Sequence, residues 1–343
     1  MTNLSVTSQS SQDAIQDFLK LYNRTEFPNT YFRPEGIIVG TFVLFTSFFG
    51  LLGNGTVIWL LGFQMKRNSF TTYVLNLAVA DFGVLIAIPL KAIGEALKSQ
   101  PHKKYVGLQL ALFSSSLIFF MHTTSKLLLT TISIDRCVAV FFPIWHRCHR
   151  PKKIPTILCT LTWVLALIFY GIHLLVLFFC HGLLFQVIVN VLICYPLMAT
   201  STVTLLVKAC SKGHKLRRTK RLMVILLTLL FCLILDIPTN LYAVFSYSYF
   251  SNCFFLNKLS NSDFGYLELV HMELNILKSQ SHLLMTSETI SFVSVCLNSS
   301  INPMLYLIAG RGRKVQSRVS MRVRLQSVFT DEESLRNEGD HPV

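Results

Sequence analysis

Long apolar runs separated by short polar segments make up most of the chain. The runs extend from Gly36 to Phe63, from roughly Thr72 to Ile93 with one charge at Asp81, and from about Val106 to Val140. They continue from Ile154 to Phe179, Leu183 to Val207, Leu222 to Tyr247 and Leu283 to Ile308. A hydrocarbon core about 30 Å thick takes roughly 20 apolar residues in helical form. Each run therefore predicts one membrane-crossing helix, and together they predict an all-α bundle of seven. Pro89, Pro196, Pro238 and Pro303 fall inside runs; neighbouring helices and water satisfy the backbone groups that such prolines free. The pattern predicts a minimal turn around Cys180 to Gly182, a short connection between runs five and six, and a long loop from Ser248 to His282. Halves related by an internal repeat, as in many transporters, are not evident.

Composition agrees. Of 343 residues, 52% are hydrophobic and 14% charged, a balance that belongs to membrane proteins. The segment from Met1 to Arg33 is polar and has no apolar leader run, so the first span is the expected anchor. The formal charge of +14 is concentrated at alternate ends of the runs. Lys66 and Arg67 follow the first; Arg147, Arg150, Lys152 and Lys153 follow the third. Lys212 to Arg221 lies between five and six, and Arg311 to Arg324 follows the seventh. The positive-inside rule makes these ends cytoplasmic, with the amino terminus outside and the carboxyl terminus inside. Lys98, Lys103 and Lys104 are the minority on the outer side. Sequons at Asn3 and Asn23 predict glycosylation of the outer tail; the Asn54 sequon is inside a span and is rejected. The basic segments occur only at helix ends, which suits anionic lipid and a protein partner rather than nucleic acid.

Most of the nine cysteines lie in apolar runs as small buried hydrophobes. Only Cys180 and Cys253 fall on the outer side, where they are candidates for a disulfide. Nothing has metal-ligand spacing, and no nucleophile–base pair or phosphate loop is present, so the chain does not read as an enzyme.

Polar groups inside a membrane are expensive and mark function by default. Asn54, Asp81, Ser125, Asn298 and Asn302 are spread over four spans. A carboxylate among amide and hydroxyl oxygens suits a hydrated monovalent cation; a hydrogen-bond network gluing helices needs the same groups. Asp135-Arg136 closes the third span, either as an ion pair able to release its guanidinium or as a snorkelling arginine beside a neutralising acid. Asn302-Pro303-Met304-Leu305-Tyr306 puts two polar groups one turn apart around a proline that removes a helix hydrogen bond, forming a hinge or a structural kink.

Together these elements resemble the rhodopsin-like (class A) G-protein-coupled receptors. The ordered matches are Gly53-Asn54, Leu77-Ala78-Val79-Ala80-Asp81, Asp135-Arg136-Cys137, Trp163, Pro238 and Asn302 to Tyr306, over about residues 36 to 325. Ser133 to Cys137, Phe142 to Pro151, Leu297 to Pro303 and Phe63 to Asn68 are similar to the Mas-related subfamily. The absence of a cysteine at the outer end of span three also fits that subfamily.

The resemblance implies a plasma-membrane receptor with an outer tail (1–35), a seven-helix bundle (36–309), an amphipathic eighth helix (310–325) and a cytoplasmic tail (326–343). It implies that Asp81, Asn54, Ser125, Asn298 and Asn302 hold an allosteric sodium ion with water. Arg136, freed from Asp135, would contact a heterotrimeric G protein, with Pro238, Pro303 and Tyr306 serving the movement. Tail hydroxyls at Ser317, Ser320, Ser327, Thr330 and Ser334 are candidates for arrestin-recruiting phosphorylation or are ordinary polar tail residues. Departures stand out: Asp236 replaces the usual tryptophan or small residue, Lys126 sits mid-span, Thr204 lies near the point of a usual tyrosine, and Arg218 and Arg221 stand where an acid often does.

The outer half of the bundle is the default ligand pocket. Its candidate lining is Lys91, Glu95, His122, Asp236, Asn240, Tyr242 and Glu288. Asp236 and Glu288 would attract a basic peptide or an amine, unless Asp236 pairs internally with Lys126; a lone buried carboxylate is too costly otherwise. A receptor-like decoy or scaffold that does not signal, and a channel or transporter, are the competing functions.

Overall fold

The computed structural model describes residues 34–65, 68–98, 100–142, 144–151, 153–177, 187–211, 219–260 and 286–306. The described residues form helices joined by turns: α1 (Pro34–Trp59), α2 (Ser69–Lys98), α3 (Lys104–Phe141), α4 (Ile154–Leu177), α5 (Tyr195–Ser211), α6 (Thr219–Ser260) and α7 (286–306). The protein is an all-α seven-transmembrane bundle. Wider π turns continue α1 over Leu60–Gln64 and lead into α5 over Asn190–Cys194. Segments 1–33, 178–186 and 307–343 lie outside the described residues. The expected glycosylation sites, the turn at Cys180 to Gly182, the eighth helix and the tail phosphosites therefore lie there too.

Six helices, α1 to α6, carry apolar stretches long enough to cross a membrane. The seventh, at 21 described residues, spans about 32 Å at ~1.5 Å per residue. Burial is inverted relative to a water-soluble protein. Large apolar side chains such as Phe45 (65% exposed) and Leu192 (70%) face outward, while Asn54, Asp81, Ser125, Lys126, Asp236 and Asn302 are buried. Lipid tails are as apolar as leucine, so small and polar residues are what hold such helices together.

Glycines let the backbones meet. A Cβ on Gly107 of α3 would stand 2.5 Å from the Lys98 nitrogen of α2, and one on Gly94 of α2 would stand 2.7 Å from the Ala111 nitrogen. Gly50 and Gly53 of α1 make room for Ser300 and Pro303 of α7 in the same way. Asn68 and Thr71 exchange side-chain-to-backbone bonds of 2.8 Å each way at the start of α2, a reciprocal cap that satisfies two orphan groups. Trp163 of α4 donates to Asn76 Oδ1 of α2 at 3.0 Å. Central in the bundle, α3 packs against α2, α4, α5 and α6.

Two expectations need correction. The loop predicted from Ser248 does not start there: α6 runs on to Ser260, a 42-residue helix roughly 63 Å long. Nothing between Pro238 and Ser260 breaks it, since the segment holds neither glycine nor proline; the apolar stretch ends near Ser246 but the helix does not. Likewise α2 passes Ile93 and reaches Lys98, which places Glu95 and Lys98 on its last turn, 2.7 Å apart.

Candidate functional site

Buried polar groups gather at three levels along the bundle. The end holding Arg136 and Arg150 is called the basic end below.

At mid-depth, Asp81 of α2 accepts a hydrogen bond from the Ser125 hydroxyl of α3 at 2.8 Å. It accepts another from the Asn302 amide of α7 at 2.6 Å. Three helices are thus joined through one carboxylate that is 1% exposed. The five residues expected to converge divide into groups. Asn54 donates to the carbonyls of Gly50 and Ser299, each at 3.0 Å, and so ties α1 to α7. Asn298 donates to Cys232 Sγ at 3.7 Å and faces α6. The amide oxygens of Asn54 and Asn302 are buried with no donor, so acceptor capacity beyond the protein's own donors surrounds Asp81.

Further from the basic end, Asp236 of α6 lies among α3 side chains. Lys126 Nζ is 3.4 Å from Asp236 Oδ1, and His122 Nε2 is 3.3 Å from the same oxygen. All three side chains are at most 3% exposed. Asn240, one turn above Asp236, donates to its carbonyl at 2.7 Å and to the Tyr195 hydroxyl, and accepts from Asn190 at 3.1 Å. Lys91 of α2 reaches Glu288 of α7 at 3.2 Å and lies 4.0 Å above the Phe292 ring. Glu95 is taken by Lys98. Tyr242 is half-buried on α6. Of the two acids expected to meet a cationic ligand, Asp236 is enclosed, whereas the Glu288 side chain is 35% exposed. Cys180 falls outside the described residues, and Cys253 is described in its backbone alone.

At the basic end, Asp135 sits between two arginines. Its Oδ2 accepts from Arg136 and its Oδ1 from Arg150. The Tyr73 hydroxyl donates to Oδ1 at 3.3 Å. His146 Nε2 lies 4.0 Å from Oδ2 and contacts the Arg150 guanidinium. Burial, and then the Arg150 charge, push the His146 imidazole below its ordinary pKa, with Asp135 opposing. Arg136 also lies 5.4 Å from the Phe70 ring centre. Tyr306, one turn past Asn302, is buried and lines a small internal gap with Phe70, Leu129 and Leu229. Pro238 lies inside α6 and Pro303 inside α7. Arg150, Tyr73 and His146 complete the cluster around Asp135, and the sequence pattern had not placed them there. Only the basic count of the 147–153 segment pointed toward Arg150.

The profile of the 7 transmembrane receptor (rhodopsin family) matches residues 53–179. The human Mas-related G-protein coupled receptor member D is 31% identical over 325 residues, covering 90% of this chain and 89% of the relative. The same member from Macaca fascicularis is 30% identical with the same coverage. The proto-oncogene Mas of Rattus norvegicus is 29% identical over 321 residues, again 90% and 89%.

Proposed function

The chain belongs to the Mas-related G-protein-coupled receptors of the rhodopsin family, and on that footing we propose that an extracellular ligand drives it to open its basic end to a heterotrimeric G protein. It is a multi-pass membrane receptor and not an enzyme. The observation that carries the coupling reading is the Arg136 guanidinium, held by Asp135 at the mouth of the bundle. Once α6 swings away, Arg136 exchanges that carboxylate for the G protein. Pro238 and Pro303 give α6 and α7 the bending points, and Tyr306 follows the hinge begun at Asn302. The basic end faces the cytoplasm of the plasma membrane, because lysine and arginine collect there.

Asp81, Ser125 and the donorless oxygens of Asn54 and Asn302 fit a hard monovalent cation, which takes oxygen ligands. Bound sodium would neutralise the buried carboxylate and hold the closed state. Asn298, turned to Cys232, serves helix packing instead. The ligand is a basic peptide or an amine, and Glu288 meets it, since it is the more accessible of the two acids. Asp236 is the internal counter-ion of Lys126.

The second reading, a receptor-like protein that does not signal, draws support from this same Lys126–Asp236 contact, which clamps α3 to the helix that must move. Guanine-nucleotide exchange on purified heterotrimers, after a peptide and amine agonist screen, separates the two. Exchange that depends on agonist and is lost in Arg136→Ala supports coupling; no exchange with any G-protein class favours the decoy. Agonist potency that falls in Glu288→Gln but is unchanged in Asp236→Asn/Lys126→Met places the ligand on Glu288.

A further inference from the structure

One carboxylate at the basic end serves two arginines that come from different parts of the chain. Arg136 is the next residue on α3, whereas Arg150 reaches back from the connection to α4, 15 residues away. The Asp135 and Arg150 side chains are each 5% exposed, and Arg136 is 17% exposed. Arg150 also donates to the Tyr73 hydroxyl at 3.3 Å, which itself donates to Asp135. The second arginine is therefore a built part of the cluster and not a surface charge that happens to lie near it.

The consequence appears when Arg136 leaves, a step that rests on the coupling reading above. With a single arginine, departure would strand a buried carboxylate beside one tyrosine, and an uncompensated buried charge is the costliest arrangement available. His146 does not fill the gap. Its Nε2 accepts from the Arg150 guanidinium, and burial together with the Arg150 charge disfavours the protonated ring. Arg150 is held by its own loop and by Tyr73 on α2, neither of which belongs to α6, so it stays while Arg136 goes. We infer that Arg150 is a positioning residue for coupling: by keeping Asp135 paired, it lets Arg136 leave that carboxylate for the G protein.

The test uses the purified full-length receptor in lipid nanodiscs and nucleotide-free heterotrimers of each G-protein class, titrated without agonist because the heterotrimer itself selects the open state. Arg150→Gln is expected to weaken heterotrimer binding by about tenfold or more, since the open state then carries an unpaired Asp135. Arg150→Lys keeps the charge and retains most of the affinity. In the Asp135→Asn background, Arg150→Gln has no further effect, because the carboxylate it serves is gone. A loop merely disordered by the substitution would weaken binding in both backgrounds, and that outcome overturns the proposal, as does unchanged affinity in Arg150→Gln. Arg136→Ala is the separate control. If it binds as well as the wild type, or if no heterotrimer binds the wild type, the coupling reading itself fails and takes this inference with it. If Arg136→Ala abolishes binding while Arg150→Gln does not, only the role of Arg150 is lost.

Discussion

Lys126→Met should destabilise the bundle far more than Lys126→Met combined with Asp236→Leu. Asp236 is 1% exposed, and its Oδ1 has Lys126 at 3.4 Å and His122 at 3.3 Å. Removing one partner of a buried ion pair costs about 3–5 kcal/mol, because the remaining charge is left without compensation. His122 offsets part of that, so the lower end, about 3 kcal/mol, is expected. Removing both charges also removes the desolvation penalty of both, and the double variant should return to within about 1 kcal/mol of the wild type. Asp236→Leu should therefore recover roughly 2 kcal/mol of what Lys126→Met alone costs. A thiol-reactive dye measures this in purified receptor, since Cys159, Cys194, Cys232 and Cys296 are free and buried until the bundle opens. A Lys126→Met receptor that melts with the wild type refutes the reasoning, as does a double variant that loses as much as the single.

Raising sodium at constant ionic strength, with choline as the replacement, should raise the melting temperature of the wild type by mass action; Asp81→Asn should remove the difference, and an unchanged sodium response in that variant would exclude Asp81 as the site. Gly107→Val should cost more than the ~1–3 kcal/mol of ordinary overpacking, because its Cβ would meet the Lys98 backbone at 2.5 Å, whereas Gly40→Ala, with nothing within 4 Å, should be near neutral; both are read from melting curves. Acid should weaken the basic end through His146. Its imidazole is held below the ordinary value of 6.5 in the folded protein, so the unfolded chain takes up the proton first and stability falls as pH drops through that value. His146→Gln should flatten the melting-temperature profile between pH 7.5 and 5.5 (about one unit either side of the ordinary imidazole pKa), and an identical profile would remove His146 from the account.

The seven spans were legible because membrane helices announce themselves as apolar runs, and α1, α3 and α4 begin within a few residues of where hydropathy puts them. Hydropathy reports what faces lipid, not where hydrogen bonding stops, and so it misplaced the end of α6 beyond Tyr247. Residue type identified Asp81 and Asn302 as partners in a network, since few other groups can satisfy a buried carboxylate. The same rule could not say that Asn54 turns to Ser299 and Asn298 to Cys232, because an amide finds many acceptors. Lys126 and Asp236 sit on different spans, and only packing decides whether they meet each other or a ligand. Arg150 was hidden for a related reason: no helical period links it to Asp135, and it returns to that carboxylate just after the short π-helical stretch Trp145–His149.

In the proposed mechanism the basic ends of α3 and α6 separate to receive a G protein around Arg136. Pulsed electron–electron resonance between spin labels at those two ends, with and without nucleotide-free heterotrimer, tests it most directly. A longer α3–α6 distance on binding, lost in Arg136→Ala, is expected. A heterotrimer that binds while the distance stays fixed would contradict it.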